Sequence, residues 1–326
     1  MRALLNTLVF LLVLQCTGSR GAARAVEKIT VQAIEDSSQD APLRPGVSSA
    51  VVVRAQILLD RARFSPGEID GTYGDDLAIA IRGYQENHGL AATGTIDGPM
   101  WSLLQSDSGP LMATYTIMLA DVRGPFRPLP KDGYERARLP WLGYESAAEE
   151  LGEKFHVAPK LLAGLNPGKE FARAGEQIMV PNVIRGAAQP ATRVVVSKSR
   201  RTVTAYGEGD TVLAQFPATI GGEHDPLPIG NWTIAVIQHN PSFYYQPGRF
   251  WNADPADAKA KLPPGPNNPV GVVWMGLSKP HYGIHGTPDP GHIGHNESYG
   301  CIRLTNWDAA DLSHMVRRGT PAILEE

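Results

Sequence analysis

Tyr282-Gly283-Ile284-His285-Gly286-Thr287, followed by Ser298-Tyr299-Gly300-Cys301-Ile302-Arg303-Leu304, sets a histidine sixteen residues ahead of a cysteine, with glycines beside both. Pro280 and Gly283 argue against a helix over the histidine, and Cys301–Leu304 reads as a short strand. A thiol attacks as thiolate, and at a free pKa of about 8.5 little of it is ionised at neutral pH. An imidazole that takes the proton, then returns one to a leaving amine, removes that obstacle. The neighbouring glycines let backbone approach a substrate and leave N–H groups for an oxyanion. The pair therefore points to acyl transfer, with Cys301 as nucleophile and His285 as general base and acid. Arg303, on the same strand face as Cys301, suits a carboxylate held bidentately.

Around this pair the pattern is β. Arg193–Val196, Thr202–Tyr206, Val212–Ile220, Trp232–Ile237, Val270–Leu277 and Cys301–Leu304 are apolar or β-branched runs broken by Gly, Pro and Asn. Such spacing predicts a mostly β, sandwich-like domain over 192–326. The segment between Gln238 and Asn268, rich in Pro and aromatics, is expected to form a lid or binding loop.

This half of the chain resembles the YkuD-type L,D-transpeptidase catalytic domain. The likeness rests on the Ile-His-Gly-Thr run, the Ser-x-Gly-Cys-Ile-Arg-Leu run, their spacing, and Gly221-Gly222 followed by Pro228-Ile229-Gly230-Asn231-Trp232. The resemblance implies that Cys301 attacks the L-centre carbonyl of diaminopimelate in a peptidoglycan tetrapeptide stem and expels D-Ala. It implies that the Gly286 carbonyl orients His285 and that the Tyr299, Gly300 and Cys301 amides receive the oxyanion. Many members have His where this chain has Tyr299. Arg303, Tyr282, Ser298 and Trp274 are the expected substrate-binding residues, with Phe243, Tyr244 and Tyr245 as further cleft candidates. The acceptor, a second stem, a wall-attached protein lysine or water, is left open. Water as acceptor would make an L,D-carboxypeptidase, and a non-catalytic wall-binding protein is the reading from another class.

Ahead of it, helical periodicity starts near Ser49 and returns at Leu77, Ala80, Ile81 and Tyr84, with a third short helix holding Trp101 and Leu104. Asp70-Gly71-x-Tyr73-Gly74 lacks the later oxygen ligands of a calcium loop. With Tyr84-Gln85 and Gly89-Leu90-x-x-Thr93-Gly94-x-Ile96-Asp97, it resembles the three-helix peptidoglycan-binding domain 1 family, over 47–107. Residues 112–184 read as strand, helix, helix, strand. Leu165-Asn166-Pro167 and Gly175-Glu-Gln-Ile-Met-Val-Pro181 resemble a LysM glycan-binding module, although Tyr144-Glu-Ser departs from its usual opening. Residues 26–46 and 185–191 read as linkers, giving a multidomain α+β chain.

Hydrophobic residues make up 42% of the 326, and the formal charge is −3. No basic surplus exists to neutralise phosphates, so nucleic acid is not an expected partner. Arg2, an apolar run from Ala3 to Leu14 and Ala23-Arg24-Ala25 have the form of a signal peptide over 1–25, predicting export to the periplasm or cell envelope without membrane insertion after cleavage. Cys16 admits lipid attachment as an alternative. Cleavage after Ala25 leaves Cys301 as the only thiol, with no internal disulfide partner. His281, His285, His292 and His295 form the rival pattern of a zinc site, but strand geometry separates an i, i+4 pair and the Glu of H-E-x-x-H is missing. No metal and no cofactor are expected, and His292 and His295 read as polar loop residues near the cleft.

Overall fold

The computed structural model describes residues 28–39, 42–250, 253–254, 256–294 and 298–326. The expected signal peptide, Cys16 and His295 lie outside them.

The first helices are α1 (Val31–Glu35), α2 (Ala50–Arg61), α3 (Asp75–Asn87) and α4 (Gly98–Leu104). Ser49 caps α2 by accepting the Val52 N–H, and Asp97 caps α4 by accepting from Met100. Leu77, Ala80, Ile81, Tyr84, Trp101 and Leu104 are all buried, as helical spacing requires. The stretch 26–46, expected as a linker, is instead folded in its described part. Ile34 is fully buried, Leu43 bridges Ile96, and Glu35 accepts the Met112 N–H at 2.7 Å.

The middle part is β1 (Met112–Thr116), α5 (Gly133–Ala137), α6 (Ala147–Lys154), α7 (Pro159–Leu165) and β2 (Gln177–Pro181), with β1 and β2 antiparallel. Asn166 ends α7 and clamps β2, donating to the Met179 carbonyl and accepting its N–H at 2.8 and 2.6 Å. Ile69 bridges Val157, and one continuous apolar core runs from Ile34 to Val180. The first two modules thus fold around one core rather than as beads on a string.

The last part contains β3 (Arg193–Ser197), β4 (Thr202–Tyr206), β5 (Val212–Pro217), β6 (Gly230–His239), β7 (Phe243–Tyr245), β8 (Ala260–Leu262), β9 (Val273–Leu277), β10 (Gly283–His285), β11 (Ile302–Arg303), α8 (Asn306–Met315) and β12 (Pro321–Glu325). Eight strands form one sheet in the order β11-β10-β9-β6-β12-β3-β4-β5. This corrects the expected sandwich. Thr219, beyond β5, exchanges backbone hydrogen bonds of 3.0 and 2.9 Å with Arg303 on β11, so the sheet curls until its two edges meet. Closure buries the edges that two flat sheets would leave open. The curl encloses a second apolar core from Val194 to Leu324. The β7–β8 hairpin lies in the segment expected as a lid.

Residues 185–191, expected as a second linker, begin with a buried side chain. The Arg185 guanidinium bonds Asp60 of α2 at 2.7 Å and Asp311 of α8 at 2.8 Å. Arg63 also reaches Asp311, Ser65 donates to Asp308 at 2.7 Å, and His156 bonds Asp60 at 3.0 Å. Arg63 and Ser65 pair with Gln215, covering the β5 edge. One buried charged junction therefore joins all three parts.

Candidate active site

β10 lies between β9 and β11, which sets His285 directly opposite Trp274. Opposed residues share a face, and the indole stacks on the imidazole with ring centres 5.5 Å apart. The neighbouring pair is Gly283 and Gly276, and the indole lies over it. A Cβ at Gly283 would come within 2.6 Å of the Trp274 ring. The glycine ahead of Ile-His therefore makes room for the ring that walls the imidazole.

His285 is 3% exposed, and its Nδ1 lies 2.7 Å from the Gly286 carbonyl oxygen. A carbonyl only accepts, so Nδ1 carries the hydrogen and Nε2 presents a lone pair. Burial pushes the imidazole down to about 3, and the nearby Arg303 charge adds to this. At neutral pH the ring is an uncharged proton acceptor.

Cys301 sits just ahead of β11, free of any disulfide and partly exposed. Its Sγ donates to the His281 carbonyl at 3.7 Å. Burial raises its pKa, against the opposing pull of the Gly283 N–H and Arg303. Thiol and imidazole therefore rest as a neutral pair, and no Sγ–imidazole hydrogen bond is formed among the described residues. His281 lies in the turn before β10 with a left-handed backbone (φ 73°).

A cleft of about 890 Å³ collects Cys301, His285, Arg303, Trp274, Tyr282 and Tyr299. Phe243, Tyr244 and Tyr245 of the hairpin strand β7 and Phe250 beyond it also line it, with Phe250 edge-on to Tyr299 at 5.0 Å. Ser298 is the expected substrate residue that the structure places elsewhere. It is 6% exposed, and its hydroxyl donates to the Cys301 carbonyl, so it braces the backbone at Cys301. Gly300 has φ 87°, and neither its N–H nor that of Cys301 donates to a protein acceptor among the described residues. Of the other histidines, His292 bonds Asp289, and no group of His, Cys, Asp or Glu among the described residues is arranged to hold a metal.

Sequence reading missed three contributors. Asn306 accepts the Val272 N–H and donates to both Glu153 oxygens at 2.9 and 3.1 Å. Its Oδ1 lies where a Cβ on Gly286 would be, 2.2 Å away, so it fills the space behind the carbonyl that orients His285. Thr305-x-x-Asp308 ahead of an apolar run is a capping signature that marks the start of α8 and hence Asn306. Glu153, pushed up to about 8 by burial, reaches Asn306 from α6 of the middle module. Tyr134 of α5 receives the Ala258 N–H at 2.7 Å and bonds Asp257, tying the hairpin to the same module. Nothing in the sequence links these distant positions.

A curled, closed sheet brings a thiol and a Nδ1-protonated histidine, the parts that acyl transfer through a thiol requires, into one aromatic cleft. Residues 191–324 match the family model of the L,D-transpeptidase catalytic domain, and residues 48–104 match that of a putative peptidoglycan binding domain. The chain is 32% identical over 174 residues to the putative L,D-transpeptidase YkuD of Bacillus licheniformis, covering 53% of this chain and 89% of that protein. A probable L,D-transpeptidase, YbiS of Escherichia coli, is 26% identical over 185 residues, covering 55% of this chain and 58% of the relative. Among solved structures, an L,D-transpeptidase from Mycobacterium smegmatis aligns with a TM-score of 0.34 at 20% identity, covering 48% of this chain and 76% of the other. The chain belongs to the L,D-transpeptidase family.

Proposed function

We propose that the protein is an exported, cysteine-dependent L,D-transpeptidase of peptidoglycan. The observation that carries this reading is the Nδ1–H bond to Gly286, which aims a neutral base into the cleft that holds the thiol. Sγ leaves the His281 carbonyl, gives its proton to Nε2 and attacks the L-centre carbonyl of diaminopimelate. The Gly300 and Cys301 N–H groups, with that of Tyr299, receive the oxyanion. The amide bond to D-Ala breaks, the imidazolium protonates the departing amine, and a thioester remains. An acceptor amine then attacks the thioester, its proton passes to His285, and the thiol is released. Arg303 holds a substrate carboxylate, and the hairpin aromatics exclude water, which favours transfer over hydrolysis. The acceptor is a second stem, giving 3→3 cross-links, or a protein lysine. The three-helix module brings the enzyme to the wall, and the strand–helix–helix–strand module binds glycan in the manner of LysM.

Mass spectrometry after incubation with purified disaccharide tetrapeptide tests this. Loss of D-Ala with formation of a dimer is expected, together with a single acyl adduct on the Cys301 peptide. Turnover that survives in Cys301→Ala overturns it.

A further inference from the structure

The loop ahead of β6 brings a carboxylate into the cleft that the steps above do not use. Asp225 lines the cleft together with Cys301, Tyr282, Tyr299 and Arg303. Backbone contact fixes its place. A Cβ on Gly221 would lie 2.2 Å from the Asp225 carbonyl oxygen and 2.9 Å from Gly300 Cα, so this loop rests directly on the segment that carries the nucleophile. Asp225 Oδ2 is buried and has no hydrogen-bond partner among the described residues. A buried acceptor without a donor is unfavourable until something supplies one.

Arg303 is its complement. Its backbone is bonded to Thr219, while its half-buried guanidinium takes part in no ion pair among the described residues. Both charges are felt at the Cys301 sulfur, in opposite senses: Arg303 favours the thiolate and Asp225 opposes it. A cleft that sets a cation and an anion, neither in an ion pair among the described residues, beside the thiol matches a ligand that carries both charges. A neutral peptide would leave both unsatisfied.

We propose that Asp225 is a specificity-determining residue that binds the free ammonium of a zwitterionic amino-acid head whose carboxylate lies on Arg303. This rests on the acyl-transfer reading above. Diaminopimelate offers such a head in the donor stem and again in an acceptor stem, and two arms of one experiment separate them.

In the first arm, single-turnover acylation of the full-length protein is measured with tetrapeptide donors whose side-chain amine is free or N-acetylated, for wild type and Asp225→Asn. In the second, the preformed acyl-enzyme partitions between an acceptor stem and water. Asparagine keeps the shape of the side chain and removes the charge. If the donor head is bound, Asp225→Asn slows acylation by the free-amine donor about 10- to 100-fold and leaves the acetylated donor unchanged. If the acceptor head is bound, only the partition falls. Undiminished iodoacetamide alkylation of Cys301 shows that the variant site is intact. Equal effects on free and acetylated donors with an unchanged partition overturn the proposal. If no donor acylates the wild type while iodoacetamide still modifies Cys301, the transpeptidase reading falls and takes this inference with it.

Discussion

Replacing Arg185 with methionine removes the one cation among the described residues that faces Asp60, Asp308 and Asp311 together, while keeping much of the aliphatic stem. Asp60 is fully buried and accepts from this arginine at 2.7 and 3.3 Å. Burial pushes its carboxyl up, but Arg185 and His156 outweigh burial and hold it at about 2 instead of 3.8. At about 1.4 kcal/mol per unit, that difference is about 2–3 kcal/mol of stability at neutral pH, shared between Arg185 and His156. Asp308, also fully buried, and Asp311 lose the same cation, keeping only the Ser65 hydroxyl and Arg63 respectively, and removing one member of a buried ionic group costs about 3–5 kcal/mol. The assay is urea unfolding at pH 7 followed by tryptophan fluorescence, with Trp307 stacked on His156 as a reporter inside the junction. A loss of about 3–5 kcal/mol is expected. The double variant Arg185→Met/Asp60→Leu should recover part of it, because charge is then removed from both sides. A loss below about 1 kcal/mol, the size of an exposed ion pair, refutes the reasoning.

Stability should also depend on pH in two opposite ways. Asp60, with its pKa lowered, contributes stability above 3.8 that disappears as pH falls through about 2. Glu68 and Asp76, raised by burial to about 7, and Glu153, raised to about 8, keep protons that the unfolded chain releases near 4. Their contribution is present at low pH and lost as pH rises to about 8, so Tm at pH 5 should exceed Tm at pH 8, and the reverse order contradicts these burials. Iodoacetamide alkylation of Cys301 should still be accelerating above pH 8, because burial raises the thiol and His285 stays neutral; a plateau below pH 7 would show a preformed ion pair instead. Gly283→Ala should displace the Trp274 ring and with it the imidazole, lowering kcat about 100-fold with a folded circular dichroism spectrum. Wild-type kcat in that variant would show that the indole does not set the histidine's position.

Local information carried much of this. The caps and apolar spacing of α2, α3 and α4 lie within a few residues of one another, so the sequence places those helices. The His-Gly and Gly-Cys runs likewise single out the thiol and imidazole that the structure brings into one cleft, because their chemistry depends on residue type and immediate neighbours. Helix α8 was harder to see: Asn306, Trp307, Asp308, Ala309, Leu312, Ser313 and Met315 are buried around its circumference, leaving no stripe to count. Strand β10 is three residues long and was legible only as part of a chemical motif.

By itself the sequence pointed to the proposed reacting pair, a thiol and an imidazole flanked by glycines, because bond-making chemistry is a property of side chains and their nearest backbone. Only the tertiary structure decided that the sheet closes on itself through Thr219 and Arg303, that Ser298 braces the backbone rather than the substrate, and that Asp225 joins the cleft. It also decided that Glu153, Arg185 and Asp60 bind the modules into one body. These depend on pairings between residues up to 153 positions apart. Such contacts are selected by the total free energy of burial and closure, and no short window of sequence contains that sum.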